Sequence, residues 1–449
     1  MLECPKILIA VIFTSLAGCQ MSDPVDDLQS ALAGTLGEMK PEVATLETSL
    51  ARDYAHGEAA VDFYSAVRVA LVNDPDVLSA KQRLNERVAV EAVTASGKDF
   101  TADGNIYGGV KDVTDRQAGL AFVLDANRLL YDGGELENQI RAARFAVEAS
   151  EYELERTKNE RALEALEAWI NLNRYTKLFD LIAQRLQILD PIIDNLERVA
   201  ASGVGDLSQV VSAKRTVTAI RTKQAQVEES LELARVDFEE IYGSMLQAQK
   251  FVLPEKELSR KLIGKKTKEI TNSPAVLAEF KLYSAAEARL ASVKSRGNFN
   301  LSLRAQVSRP IGASTYGSDE SIGLVLNKNF FDGGKLDKEI EEAEAKVSAQ
   351  LSKLRFTARR NNSLAETTFR SIKAMERALA IAEEEVEIAK LEIKFQRKQL
   401  VIGASTFETV LTAEAKAYEA EAGVINIGYD LLRSRVAHAA SLGDLAKLF

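Results

Sequence analysis

This chain of 449 residues says one thing twice. "LLYDGGELENQI" at 129–140 returns as "FFDGGKLDKEI" at 330–340, so Asp-Gly-Gly recurs at 132–134 and 332–334. With Asp132 and Asp332 as register, an offset of 200 holds for the next hundred residues. Leu136, Ile140, Ala143, Val147, Leu154 and Thr157 align with Leu336, Ile340, Ala343, Val347, Leu354 and Thr357; Gly203, Val210, Ala213, Leu231 and Gly243 align with Gly403, Val410, Ala413, Leu431 and Gly443. Upstream, "NDPDVLSA" at 73–80 answers "NSPAVLAE" at 272–279. A repeat of this length is an architectural unit. It divides the chain into copies at 60–249 and 260–449, after a segment at 19–59 that has no counterpart.

The hydrophobic period identifies the elements within each copy. Positions 136, 140, 143, 147, 150, 154 and 157 step 4-3-4-3, the spacing of a coiled-coil seam. Past the glycine a second seam runs Val217, Ile220, Gln224, Val227, Leu231, Ala234, Phe238, Ile241; its mate is Ala417, Ala420, Val424, Ile427, Leu431, Ser434, His438, Ser441. Only Pro191 interrupts 134–200, and no proline interrupts 334–401. Each stretch predicts a helix roughly 100 Å long, far beyond a normal globular helix. Ahead of each Asp-Gly-Gly the period becomes two. Phe299, Leu301, Leu303, Ala305 and Val307 alternate with polar residues, and so do Ile322, Leu324 and Leu326. Copy one matches with Leu120, Phe122 and Leu124 and, less cleanly, with "FTADGNIYGGV" at 100–110.

Each copy therefore reads helix, strand, loop, strand, long helix, glycine turn, helix. Strands of this length with one apolar face suit a lipid-embedded barrel, the only sheet that satisfies its edges in a bilayer. Four strands cannot close alone, since small barrels need about eight. The expectation is an oligomer, mostly α with a β-barrel contribution.

Composition agrees with long helices: one Trp, eight Pro and two His in the whole chain. A formal charge of −9, with no Lys/Arg stripe, argues against nucleic acid. The first residues, "MLECPKILIAVIFTSLAGCQ", place a short apolar run after Lys6 and resemble a signal peptide at 1–18 with a bacterial lipoprotein box. That box implies a lipid on Cys19, each buried methylene contributing about 0.8 kcal/mol, and Gln20 after it implies the outer membrane. An unlipidated secretory leader is the competing reading. No stretch of 18 apolar residues offers a transmembrane helix.

Four coupled motifs resemble the TolC family of outer-membrane efflux and secretion channels across 60–449. They are Asn-x-Pro followed by a leucine at 73–78 and 272–277 (Asn73, Pro75, Asn272, Pro274), the aromatic-Asp-Gly-Gly, the glycine turns, and the ending "YDLLRSRVAHAASLGDL" at 429–445. The resemblance implies a homotrimer with a twelve-stranded β-barrel and an α-barrel tunnel of long antiparallel helices reaching into the periplasm. It also implies end-on stacking of the helices near 75–98 and 274–296 with those after the turns. A periplasmic adaptor and an inner-membrane ABC or proton-driven transporter would be the partners, besides outer-membrane lipid.

The same resemblance places adaptor contacts at two tip turns, Gly203, Val204, Gly205, Asp206 and Leu207, with Gly403, Ala404, Ser405, Thr406 and Phe407; plain helix-turn-helix corners are the alternative. Family members that constrict the tip with two aspartates have Thr409 and Thr412 as their matches here, leaving Glu408 and, further on, Glu414 as carboxylates for a cation-selective ring. Tyr131, Asp132, Gly133 and Gly134, with Phe331, Asp332, Gly333 and Gly334, mark the change from strand to helix. Asp would accept amides of the helix start, and Gly would permit the change of direction.

Neither His56 nor His438 has metal-ligand neighbours, the Asp-Gly-Gly lacks the rest of a phosphate loop, and no nucleophile arrangement is present. The chain reads as a conduit without cofactor or enzymatic activity. Three roles compete: a type I secretion duct, preferred for the character of "RVAASGVGDLSQVVSAKRT" at 198–216; a small-molecule efflux duct; and a coiled-coil tether, which the strands disfavour.

Overall fold

A computed structural model describes residues 62–109, 119–202, 207–243, 253–262, 272–312, 314 and 317–449. The leader, Cys19, the 19–59 segment and the first tip turn at 203–206 lie outside these residues. All the described residues belong to one compact unit, Ala59–Phe449.

The Asn-x-Pro motif sits on a helix break. α1 (Phe63–Asn73) starts from a capping box in which Asp62 accepts the Ser65 amide at 2.7 Å and Ser65 Oγ accepts the Asp62 amide at 2.9 Å. Pro75 cannot donate to continue that helix, so α2 (Pro75–Ala95) starts afresh with Asp74 accepting the Asp76 and Val77 amides at 2.9 and 3.0 Å. A hairpin of β1 (Thr101–Gly109) and β2 (Gly119–Tyr131) follows, then α3 (Glu135–Ala201) and α4 (Leu207–Tyr242). The short α5 (Glu255–Leu262) joins the copies. The second copy supplies α6 (Pro274–Ser295), β3 (Asn300–Ile311), β4 (Asp319–Asn327), α7 (Lys335–Val401) and α8 (Phe407–Leu442). α3 and α7 each have 67 residues, and α4 and α8 each have 36. Helix α3 runs on through Pro191. The C-cap of α8, Gly443, meets Pro274 at the start of α6, so these two helices abut end to end.

The sheet is antiparallel in the order β1-β2-β3-β4, leaving β1 and β4 as unpaired edges. Its register sorts the two faces. Gly104, Leu124 and Val307 lie across from one another, as do Ala126, Ala305 and Ile322, and then Leu303 and Leu324. The opposite face carries Asp103, Asp125, Gln306 and Ser321 in one row. On β4 the apolar face is bare, with Ile322, Leu324 and Leu326 at 76%, 65% and 63% exposure. At the helix end of the sheet, Phe100, Tyr131, Phe299, Phe330 and Phe331 are all exposed, with Tyr131 and Phe299 ring centroids 5.1 Å apart. An apolar band bordered by aromatics is the surface a bilayer selects. No helix among the described residues is long and apolar enough to cross a membrane.

The main core lies at mid-height of the helices, where Trp169 of α3 meets Phe63, Phe238 and Tyr242 at 5.5, 4.7 and 5.7 Å and Tyr242 donates to the Ala165 carbonyl at 2.8 Å. Seam positions Val217, Ile220, Leu231, Ala234 and Phe238 are buried, as are Ala417, Ala420, Leu431 and His438. The copies differ in their surroundings. α3 buries Leu166, Ile170, Ile182 and Leu189 completely, whereas α7 leaves Phe356, Ile381, Ile388 and Leu391 exposed.

Candidate functional site

The two strand-to-helix junctions use one device. Beyond Tyr131, the Asp132 carboxylate accepts the Gly134 amide at 2.9 Å and the Leu136 amide at 2.6 Å. Asp332, after Phe331, accepts those of Gly334 and Leu336 at 2.9 and 2.8 Å. These are orphan donors of a helix start, satisfied by a charge that also suits the positive end of the dipole. The turn between needs two successive positive φ values, 72° and 91° at Gly133 and Gly134 and 70° and 80° at Gly333 and Gly334. Glycine adopts these without Cβ strain. Arg296, which no motif singled out, clamps the starts of both long helices by donating to Glu135 at 2.8 Å and to Glu339 at 3.0 Å.

At the far end of α7 the second tip turn is fully formed. Gly403 takes φ 75°, its amide donating to Leu400 O at 3.1 Å, and the Ala404 amide donates to Gln399 O at 2.9 Å. Ser405 Oγ donates to Gln396 at 2.9 Å, and Thr406 caps α8 by accepting the Thr409 amide at 3.2 Å. Phe407 packs inward against the tip core, while Val401 and Ile402 point outward with 86% and 76% exposure. Of the first turn, only Leu207 is described, as the first residue of α4; Gly203, Val204, Gly205 and Asp206 fall outside the described residues.

The carboxylates and hydroxyls offered for a constriction are engaged by neighbours. Glu408 accepts from Ser212 of α4 at 2.9 Å, Thr412 donates to the Glu408 carbonyl at 2.8 Å, and Thr409 Oγ1 lies 2.9 Å from Thr406 Oγ1. Glu414 is 1% exposed and held between Arg185 of α3 and Arg397 of α7, the latter at 2.5 Å. Arg185 also donates to Glu421 at 2.7 Å. This buried junction ties α3, α7 and α8 together close above the tip. The arrangement binds helices to one another and offers nothing to polarise or attack a substrate. Among the described residues no cluster of metal-ligating side chains occurs.

Residues 268–444 match the family described as Outer membrane efflux protein. Among solved structures, the outer-membrane channel OprN superimposes with a TM-score of 0.71 at 19% identity, over 84% of this chain and 89% of that one. The outer membrane protein VceC from Vibrio cholerae gives 0.72 at 16% identity, over 84% and 95%. CusC gives 0.71 at 14% identity, over 87% and 95%. No curated protein matches the chain in sequence. The structures share its fold, long antiparallel helices joined to a few antiparallel strands, and the family match over 268–444 accords with the resemblance read from the sequence.

Proposed function

We infer from the family match over 268–444 and from the shared fold that the chain is an outer-membrane efflux channel of the TolC type, and we propose that it is the exit duct of a tripartite export machine. The observation that carries the proposal is a four-stranded sheet with both edges open, from whose one end two 67-residue helices depart. An unpaired edge in hydrocarbon leaves backbone groups unsatisfied at a cost of several kcal/mol each. Three copies joined edge to edge give twelve strands and remove every edge. Six long helices below them, each about 100 Å by its rise per residue, form the tunnel wall, and the tunnel carries out no chemistry on its cargo.

In this reading the tip turns at 203–207 and 403–407 meet a periplasmic adaptor that couples the duct to an inner-membrane transporter. Exposed Val401 and Ile402 support it, since they give the tip an apolar face. A lipid on Cys19 anchors the N-terminus in the outer membrane; intact-mass measurement of the mature chain tests that point, an unmodified N-terminus speaking against it.

The cargo proposed is polypeptide, by type I secretion, on the character of the first tip sequence at 198–216. Small-molecule efflux is the second reading, and the family's description as an efflux protein supports it. A deletion strain assayed in parallel for secreted proteins and for drug susceptibility separates them. Loss of a secreted protein supports the first reading. Unchanged secretion with raised drug sensitivity supports the second.

A further inference from the structure

The buried junction near the tip has an image in the other copy of the repeat, and every charge in that image is reversed. Arg185 corresponds to Glu385, Glu414 to Lys214, Glu421 to Arg221, and Arg397 to Glu197, each pair 200 positions apart. Within each copy the reversed partners still meet: Arg397 with Glu414 at 2.5 Å in the second, Glu197 with Lys214 at 2.6 Å in the first. Asp190 and Arg221, 3.1 Å apart, correspond to Lys390 and Glu421, reversed again.

One member is left over. Arg185 crosses from α3 to α8 to reach Glu414 and Glu421. Its image Glu385 is exposed on α7, and its side chain makes no ion pair or hydrogen bond among the described residues. The images of its partners, Lys214 and Arg221, lie on α4, and α4 does not pack on α7 as α8 packs on α3.

Apolar positions show the same vacancy. Leu411 and Val436 of α8 are 1% and 0% exposed, whereas their images on α4, Val211 and Val236, are 54% and 60% exposed. Ile381, the image of the partly buried Leu181, is 67% exposed on α7. An apolar and charged face that is filled once within the chain, and left open at its repeat image, is complementary to a second copy of the chain.

We propose that α4 of one protomer docks on α7 of the next as α8 docks on α3 within a protomer, with Glu385 bonding Lys214 and Arg221 of the neighbouring copy. The proposal rests on the oligomeric duct inferred above and adds its register. Reversing all the charges also discriminates between faces. The basic Arg185 site on α3 repels the basic α4 of a stray copy, and the acidic Glu385 site on α7 repels a stray α8, so each helix face admits one partner.

The test uses the full chain in detergent. In the variant carrying Glu385→Cys and Arg221→Cys, a short bifunctional thiol reagent should produce covalent dimers and trimers. Neither single variant should give them, nor should Glu385→Cys combined with Leu233→Cys, which lies several turns away along α4. Glu385→Lys, which disturbs no contact within the protomer, should lower the temperature at which the oligomer separates. A wild-type trimer that neither cross-links at this pair nor responds to Glu385→Lys overturns the pairing and leaves the duct intact. A wild-type chain that stays monomeric overturns the duct reading and the pairing together.

Discussion

The Asp132 carboxylate holds the Leu136 amide at 2.6 Å, tying the end of a strand to the first turn of a 67-residue helix. Asp132→Ala removes that cap and should cost about 1 kcal/mol in chemical denaturation at neutral pH. The Asp332 carboxyl is held below its usual range, first by the Leu336 amide and further by that of Gly334. A depressed folded-state pKa means that its stabilisation is complete above the unfolded value and disappears as pH falls through the folded one. The stability gap between wild type and Asp332→Ala should therefore close on acidification below about pH 4. A gap of constant size down to about pH 2 would show that the carboxylate's charge plays no part.

Gly133 and Gly333 share a backbone conformation but have different neighbours. A Cβ at Gly133 would lie 2.4 Å from Asn298 Cβ, whereas one at Gly333 meets nothing within 4 Å in the protomer. Both alanine variants suffer positive-φ strain on the order of 1 kcal/mol. Gly133→Ala adds a collision with the Asn298 side chain, in the turn just ahead of β3. In the unfolding midpoint of the chain held as a monomer, Gly133→Ala should fall clearly below Gly333→Ala. Equal losses would mean that Asn298 swings aside at no cost.

Much of this fold was legible because its boundaries are chemical. Asp-Gly-Gly, Asn-x-Pro and the turn glycines punctuate the chain where helices stop and start, and the repeat doubles each signal. β1 read poorly because Gly104 and Gly108 leave Ile106 as the one large apolar residue of its outward face. The junction of Arg185 with Glu414 was not legible. It joins residues 229 positions apart, and in sequence Glu414 looks like any solvated helical carboxylate. Sign reversal at a spacing of 200 was the signal that would have exposed it. The bare flank of α7 was hidden for a related reason, since a face completed by another copy has no mate within one chain.

Arg185 is 9% and Glu414 1% exposed in their side chains, so breaking the pair from one side should be severe. Arg185→Met leaves Glu414 with only the partly exposed Arg397, and a loss on the order of 3–5 kcal/mol is expected. Arg185→Met combined with Glu414→Leu replaces both charges by apolar groups and should regain most of that loss. Calorimetry of the detergent-solubilised protein gives the comparison. A double variant no better than the single would point to packing, with charge secondary.

Ile402 reaches into solvent just ahead of Gly403, and Val401 beside it is barer still. Exposed positions of this kind tolerate substitution within about 0.5 kcal/mol, so Ile402→Asp should leave folding and assembly unchanged. At a docking face the same change buries an unpaired carboxylate against apolar surface, which is penalised heavily. Export by cells carrying Ile402→Asp should therefore collapse while the protein remains at normal abundance in the outer membrane. Ile402→Val, which keeps the surface apolar, should retain export. Normal export from the Asp variant would mean that the tip turn is a corner of the helical hairpin and that the adaptor is met elsewhere.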